Sequence, residues 1–335
     1  MTDASPLLRN AALDLLRIQA PVQDRLDLVL QEVRRIILSD FDMIEVVNDY
    51  LLLQPGKLFR PTLVLLSSEI GGSPHPRAVT FGAVVELVHL ATLVHDDAVD
   101  NSVLRRGQPT VNALWTHQIA IIMGDYLYSR AVCELAEDGN LEAIRILGNA
   151  ANAMSVGEMR QVTSYDSLDF SEDDYYRLIS AKTASLMSAA CAMGALAGVD
   201  QHRESLQSFG QNLGMAFQVA DDILDYVGFE EETGKPIGQD LRERKVTLPL
   251  VGALRAASPS AEREIREFFG RPNPSDEEVF RLVGLVDELG GVAYARRKAL
   301  DFADQAEEAL RALPESGAAL DALRDSVTYV VNRNR

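Results

Sequence analysis

Residues 81–101 read FGAVVELVHLATLVHDDAVDN, and from Phe81 to Val94 the only charged side chain is Glu86. Such a stretch belongs inside a protein, yet it ends in three carboxylates, Asp96, Asp97 and Asp100. Its apolar residues do not alternate with polar ones, so it reads as a buried helix rather than a strand. On a helix Asp96 and Asp100 share a face, with Asp97 about 100° round. Isolated carboxylates at the end of a buried element are costly, so the segment requires cations nearby.

The same pattern occurs a second time. DDILD places Asp221, Asp222 and Asp225 after another apolar run, LGMAFQVA. One such motif in an acidic protein can be a solvated helix face. Two copies, each following apolar helix, read instead as two oxygen cages at the ends of buried helices. Six unneutralised carboxylates would repel one another and raise their own pKa values. Hard divalent cations resolve the repulsion, and carboxylates that only partly fill an octahedral shell suit Mg2+ bridged to phosphate.

Basic residues stand near both motifs. GKLFRP supplies Lys57 and Arg60, RRG supplies Arg105 and Arg106, AKTA supplies Lys182 and Thr183, and a late loop supplies Lys235 and Lys245. Arg105 and Arg106 follow Asp100 closely enough to meet an anion held at the first cage. Two other patterns fail. GFEEETGKP has the wrong Gly228–Gly234 spacing for a P-loop, and Pro236 where a hydroxyl is needed. Glu86 and His89 form one Glu-x-x-His with no second copy, so His89 reads as a polar donor above the cage rather than half of a di-iron site.

Away from these motifs, three-and-four spacing of apolar residues continues through the chain and predicts an all-α protein. Pro61 suits the first turn of a helix that Gly71 and Gly72 stop, and a long helix follows over about 76–99. Further helices are expected near 111–137, 141–164, 172–198 and 203–226, then shorter ones to Val331. Ser171 with Asp174 and Ser275 with Glu278 are capping boxes. No low-complexity linker divides the 335 residues, so one domain spanning 1–335 is expected.

Fifty acidic against thirty-two basic residues give a formal charge of −18, which argues against nucleic acid as a partner. Cys133 and Cys191 lie in apolar runs without pairing or metal-ligand spacing and are expected to be buried free thiols in a reducing, cytoplasmic setting. The start, MTDASPLLRN, lacks the basic residues and apolar core of a signal peptide. The uncharged run 183–199 is slightly short for a membrane span and rich in Ala, Ser and Gly, which suggests an internal helix with close neighbours.

Taken in chain order, GKLFRP, HLATLVHDDAVDNSVLRRGQPT, GDYLYSRA, AKTASL, GMAFQVADDILD and TGKPIGQDLRERKVTLPL resemble the trans-polyprenyl diphosphate synthase family, long-chain type. One departure is Arg244, where such sequences commonly have Gly before the lysine matching Lys245. The resemblance implies a helical domain whose two DDxxD motifs face each other across a central cavity. It also implies head-to-tail condensation of isopentenyl diphosphate onto an allylic diphosphate, releasing pyrophosphate, with three Mg2+ bridged by diphosphate. By motif, Asp96, Asp100 and Asp221 would hold Mg2+, with Asp97, Asp222 and Asp225 ligating or supporting. Arg105, Lys182, Thr183, Gln218, Lys235 and Lys245 would hold the allylic diphosphate. Lys57, Arg60, His89 and Arg106 would hold isopentenyl diphosphate.

Product length is expected to follow from the helix above the first motif. Ala91 and Thr92 project from it roughly 6 to 8 Å below the cage, at about 1.5 Å rise per residue. Short-chain members of the family commonly place an aromatic floor there; here both residues are small, and Val88, Val85 and Val84 continue the wall. The expectation is a product of about thirty-five to fifty carbons, centred on octaprenyl, by resemblance. The alternatives are a farnesyl or geranylgeranyl synthase, a terpene cyclase or head-to-head synthase, and a non-catalytic partner subunit. Lys57, Arg60 and Arg106 argue against a cyclase, and the intact acidic motifs argue against an inactive subunit. A homodimer with transient membrane contact for product release is expected by resemblance.

Overall fold

The structure is a computed structural model that describes residues 15–53, 56–71, 74–163, 168–227, 237–314 and 316–332. Helical residues 15–19 lead through a 3-10 turn, Ala20–Val22, into α1 (Gln23–Ile36). Next come α2 (Asp42–Leu52), α3 (Phe59–Ser68) and α4 (Arg77–Val99). A small antiparallel ribbon follows, β1 (Leu104–Arg105) and β2 (Gln108–Pro109), with Arg105 opposite Gln108. The chain continues through α5 (Val111–Leu114), α6 (His117–Asp138), α7 (Leu141–Thr163), α8 (Glu172–Ile179), a π-helical turn (Ser180–Ala184), α9 (Ser185–Gly198) and α10 (Arg203–Val227). After residues 228–236, which lie outside the described set with Lys235 and the P-loop-like Gly228, Gly234 and Pro236, come α11 (Gln239–Arg242) and α12 (Leu248–Ala256). The last elements are α13 (Pro259–Phe269), α14 (Asp276–Glu288), α15 (Gly291–Leu310) and α16 (Ala318–Asn332).

The all-α expectation holds, and both capping boxes form, at Ser171–Asp174 and Ser275–Glu278. The helix expected over 111–137 is instead two, α5 and α6. Thr116 is the reason: its extended backbone breaks the helix and its hydroxyl accepts the Ile119 N–H, restarting it. The helix expected over 172–198 is also interrupted, by the π turn that carries Lys182 and Thr183. Cys191 is buried as expected and burial pushes its thiol up to about 12, but Cys133 is exposed. Both cysteines sit in apolar runs, and only the helix face distinguishes them.

α4 packs against α1, α3 and α6, while α9 lies between α3, α7 and α10. The small residues of α9 let backbones approach closely. A Cβ on Gly194 would lie 2.2 Å from the Val64 carbonyl oxygen, and one on Gly198 would lie 2.1 Å from that of Ser68. Residues Leu63 to Leu66 of α3 are fully buried against this surface, and each such side chain contributes about 1.5–3 kcal/mol. α10 links the two main core clusters. Leu206, Phe209 and Leu213 pack into the first, and Val219, Ile223 and Tyr226 into the second. By length and composition α4 and the run Glu172–Gly198 could cross a membrane, but most of each apolar window is buried inside the fold.

Candidate active site

A cavity of about 340 Å³ opens between the C-terminal half of α4, α7, α8, the π turn, α10 and the segment 240–247. Its wall includes Arg60, His89, Thr92, Asp96, Asp100, Arg105, Lys182, Thr183, Gln218, Asp222 and Lys245. Residues spread over nearly 190 positions of sequence thus meet around one space. Lys57 and Arg106 are exposed beside it and are not part of its wall, nor are Asp97, Asp221 and Asp225.

The first acidic motif divides its labour by helix face. Asp96 and Asp100 look into the cavity, and burial raises both carboxyls, Asp96 to about 6. Lys182 partly offsets the shift at both, while Glu158 adds to it. Asp97 points elsewhere: it is buried and accepts the Arg105 Nε–H on both oxygens, at 2.9 and 2.8 Å. It thereby aims the arginine at the cavity.

The second motif is used differently. Asp222 is the member on the cavity wall, buried, accepting from Tyr175 Oη at 2.6 Å and Gln218 Nε2 at 2.8 Å. Burial raises its carboxyl, and those two hydrogen bonds oppose the rise. Gln218 Oε1 in turn accepts from the Thr183 hydroxyl at 2.7 Å, so four side chains form one chain of hydrogen bonds. Asp221 is exposed at the surface of α10. Asp225 accepts the backbone N–H groups of Gln239 and Asp240, both at 2.9 Å, and so caps α11.

Lys182 and Thr183 both reach the cavity from the π turn, an irregularity of a kind often found at functional sites. Lys182 Nζ donates to Gln161 Oε1 at 2.9 Å and is paired with Glu158. Across the cavity, burial alone would lower Lys245, but its hydrogen bond with Glu243 and the charges of Glu243, Asp240 and Asp100 hold it above its usual value. On the α3 side, Arg60 Nη1 lies 3.0 Å from His89 Nε2. Burial lowers Arg60 to about 10, and burial with the charges of Arg60, Arg106 and Arg105 keeps His89 well below its usual value. His89 is therefore a neutral imidazole that accepts from Arg60. Beneath them Glu86 is buried, and it lies with Arg106 around Gly56.

All four non-glycine residues with positive φ among the described residues flank this site: Leu58 (52°), Asn101 (52°), Arg106 (51°) and Arg244 (56°). Left-handed backbone costs about 1–2 kcal/mol per such residue, and its confinement to the loops bearing Lys57, Asp100, Arg105 and Lys245 marks where geometry outweighs local preference. Arg244 also explains the departure from the family pattern. Glycine suits that backbone, and the arginine is held there with Nη2 donating to the Arg271 carbonyl at 2.5 Å.

Of the residues expected to set product length, Thr92 lines the cavity, while Ala91 and Val88 are buried in the core behind the wall. Leu93, Met154, Phe170, Leu178, Ile179, Leu186 and Val246 supply the apolar lining. The sequence reading missed Tyr175, Glu158, Gln161 and Asp240. Asp240 lay within the quoted GKPIGQDLRERK and Glu158 with Gln161 had helical spacing, but Tyr175 carried no signal beyond its helix.

Two acidic helix ends and a set of cations around one cavity, lined by charged and apolar side chains alike, suit an enzyme that handles a diphosphate. The polyprenyl synthetase family model matches residues 42–286, and the chain belongs to that family. It is a trans-prenyltransferase with the all-α isoprenoid synthase fold. The chain is 35% identical to octaprenyl diphosphate synthase of Escherichia coli over 83% of its length and 86% of that protein's. It is also 35% identical to a short chain isoprenyl diphosphate synthase of Methanothermobacter thermautotrophicus, over 85% and 89% of the two chains. Among solved structures, a polyprenyl synthase from Caulobacter crescentus complexed with calcium and isoprenyl diphosphate superposes with a TM-score of 0.89, at 33% identity, covering 96% of this chain and 98% of that one.

Proposed function

We propose that the protein condenses isopentenyl diphosphate head-to-tail onto an allylic diphosphate and repeats the step to a long all-trans product of about C35 to C50, with octaprenyl as the central length. The observation that carries this reading is the meeting of both acidic motifs with cations from four parts of the chain at one cavity. Asp96, Asp100, Lys182, Asp222 and Lys245 line it together, with Arg60 and His89 also on its wall and Arg106 beside it. Two diphosphate substrates need two sets of cations, and Arg60 with His89 and Arg106 supplies a set that a cyclase does not need.

The donor set fits a hard divalent cation. Asp96, Asp100, Asp222 and Asp240 present carboxylate oxygens to the cavity, and burial raises all four, which a bound cation would reverse. Among the described residues no three such groups are gathered into a closed cluster, so a cation here would take part of its shell from substrate phosphate. Mg2+ is the ion proposed, three in number, with Asp96 and Asp100 as ligands from the cavity wall and Asp221 as a ligand from the exposed edge of α10 next to Asp222; when bound it would neutralise the charge that develops on the diphosphate leaving group. Lys182, Lys245 and Arg105 lend the same stabilisation from the protein, with Thr183 and Gln218 fixing orientation. The apolar wall keeps water from the allylic cation. Arg60, His89, Lys57 and Arg106 hold the isopentenyl diphosphate so that its double bond faces that cation.

For product length, overall identity is the same to an octaprenyl synthase and to a short-chain synthase, so the reading rests on the wall. No aromatic ring stands at Ala91, Thr92 or Val88, and only Thr92 of these faces the cavity. Incubation of the pure chain with farnesyl diphosphate, isopentenyl diphosphate and Mg2+, followed by mass spectrometry, is expected to give products beyond thirty carbons. Arrest at fifteen or twenty carbons makes it a short-chain synthase. Absence of any condensation by the chain alone makes it a partner subunit. One domain over 1–335, a cytoplasmic homodimer and transient membrane contact for product release complete the proposal.

A further inference from the structure

The turn that presents Lys57 is braced from outside the region matched by the family model. Gln19, the last residue of the helical segment 15–19, precedes that match, which begins at residue 42. Its side chain is buried, and Nε2 donates to the Lys57 carbonyl at 2.8 Å and to Thr62 Oγ1 at 3.1 Å. Thr62, fully buried on α3, donates its own hydroxyl to the Leu58 carbonyl at 2.7 Å. The carbonyls of two successive residues are thus held by one amide and one hydroxyl that also bond to each other.

The turn needs such support. Leu58 sits at φ 52° without a side-chain cap on the helix it opens, a backbone that a γ-branched residue adopts only when its surroundings hold it. Between Lys57 and Arg60 this left-handed residue sets the relative direction of the two cations. Without the brace, the turn would relax toward right-handed or extended backbone, and the direction in which Lys57 leaves the chain relative to Arg60 would change.

We propose that Gln19 and Thr62 are positioning residues for the isopentenyl diphosphate side of the site, acting through the Lys57–Leu58 turn. The proposal rests on the assignment of Lys57 and Arg60 to that substrate. Neither side chain is on the cavity wall, so neither is a catalytic residue; they act on where Lys57 stands. The pair links the N-terminal segment to one substrate and makes no contact with the allylic set of Arg105, Lys182, Thr183, Gln218 and Lys245.

Steady-state kinetics separate this from a general stabilising role. Gln19→Leu is expected to raise KM for isopentenyl diphosphate roughly tenfold, less than the roughly hundredfold that a 1 Å misplacement can cost, with KM for farnesyl diphosphate unchanged. Thr62→Val, which keeps the buried volume, is expected to shift the same constant in the same direction, and it carries the test if Gln19→Leu does not fold. The double variant is expected to be no worse than the stronger single one, because both break one unit. Equal rises in both KM values alongside a lowered Tm, or additive effects, would overturn the proposal. Lys57→Ala tells its failure from that of the assignment beneath it. If Lys57→Ala raises KM for isopentenyl diphosphate and the brace variants do not, the brace is wrong. If Lys57→Ala has no effect either, the assignment is wrong and the proposal falls with it.

Discussion

The motifs DDAVD and DDILD have the same spacing and the same apolar lead-in, yet the protein uses them in different ways. In the first, the outer pair Asp96 and Asp100 faces the cavity, and the middle Asp97 turns away to hold Arg105. In the second, the middle residue Asp222 lines the cavity, Asp221 is exposed, and Asp225 caps α11. The difference is one of helix rotation and neighbours. α4 turns its i, i+4 edge inward, whereas α10 turns inward the residue about 100° from that edge. Identical spacing therefore supplies carboxylates to a site without deciding which of them work there.

The largest effect should separate cavity-facing from structural members. Asp96→Asn is expected to lower kcat by about a thousandfold, the scale of losing a group that stabilises transition-state charge, with no loss of Tm in the ligand-free protein. Burial already penalises that carboxylate, so removing its charge relieves the fold. Asp225→Ala should do the reverse in stability, costing about 1–2 kcal/mol through two orphaned amides at the start of α11. Thermal and urea unfolding of both variants check this. A Tm loss in Asp96→Asn as large as in Asp225→Ala would erase the contrast drawn between the motifs.

A smaller change should reach the site through an arginine. Asp97→Asn keeps the shape but replaces a charged acceptor of the Arg105 Nε–H with a neutral one. KM for the allylic diphosphate is expected to rise about tenfold with kcat falling less, the scale on which loss of an outer-shell partner acts. If Asp97 acts as a cavity ligand instead, kcat should fall as far as in Asp96→Asn.

Much of this was legible in residue patterns, and the limits are physical. Periodicity showed the helices and both capping boxes, because caps and apolar faces are local properties. It missed the break at Thr116 inside a run that remains apolar on both sides, and the exposure of Cys133, which depends on how α6 is turned. The acidic motifs and the cations were visible as residues. What spacing could not show was rotation about the helix axis, which leaves Asp97, Asp221 and Asp225 outside the lining of the ligand-free cavity and Ala91 behind its wall. Nor could it show Gln19 reaching Lys57, or Tyr175 reaching Asp222, because neither partner is close in sequence.

The smallest expected effect concerns the segment that joins the second motif to Lys245. Asp225 fixes its start by capping α11, and Arg244 fixes its end, with left-handed backbone and a bond to the Arg271 carbonyl. Arg244→Gly removes the bond but supplies the residue that prefers φ 56°, so the two consequences oppose each other. Relief of the left-handed backbone is worth about 1 kcal/mol, and the exposed bond to the carbonyl contributes about as much, so Tm should hardly move. The anchoring of Lys245 loses its far end, and KM for the allylic diphosphate should rise about twofold to fivefold, a fraction of the roughly hundredfold that a 1 Å misplacement can cost. If Arg244→Gly lowers that KM instead, the arginine obstructs the cavity wall rather than bracing the lysine, and the second motif is held from Asp225 alone.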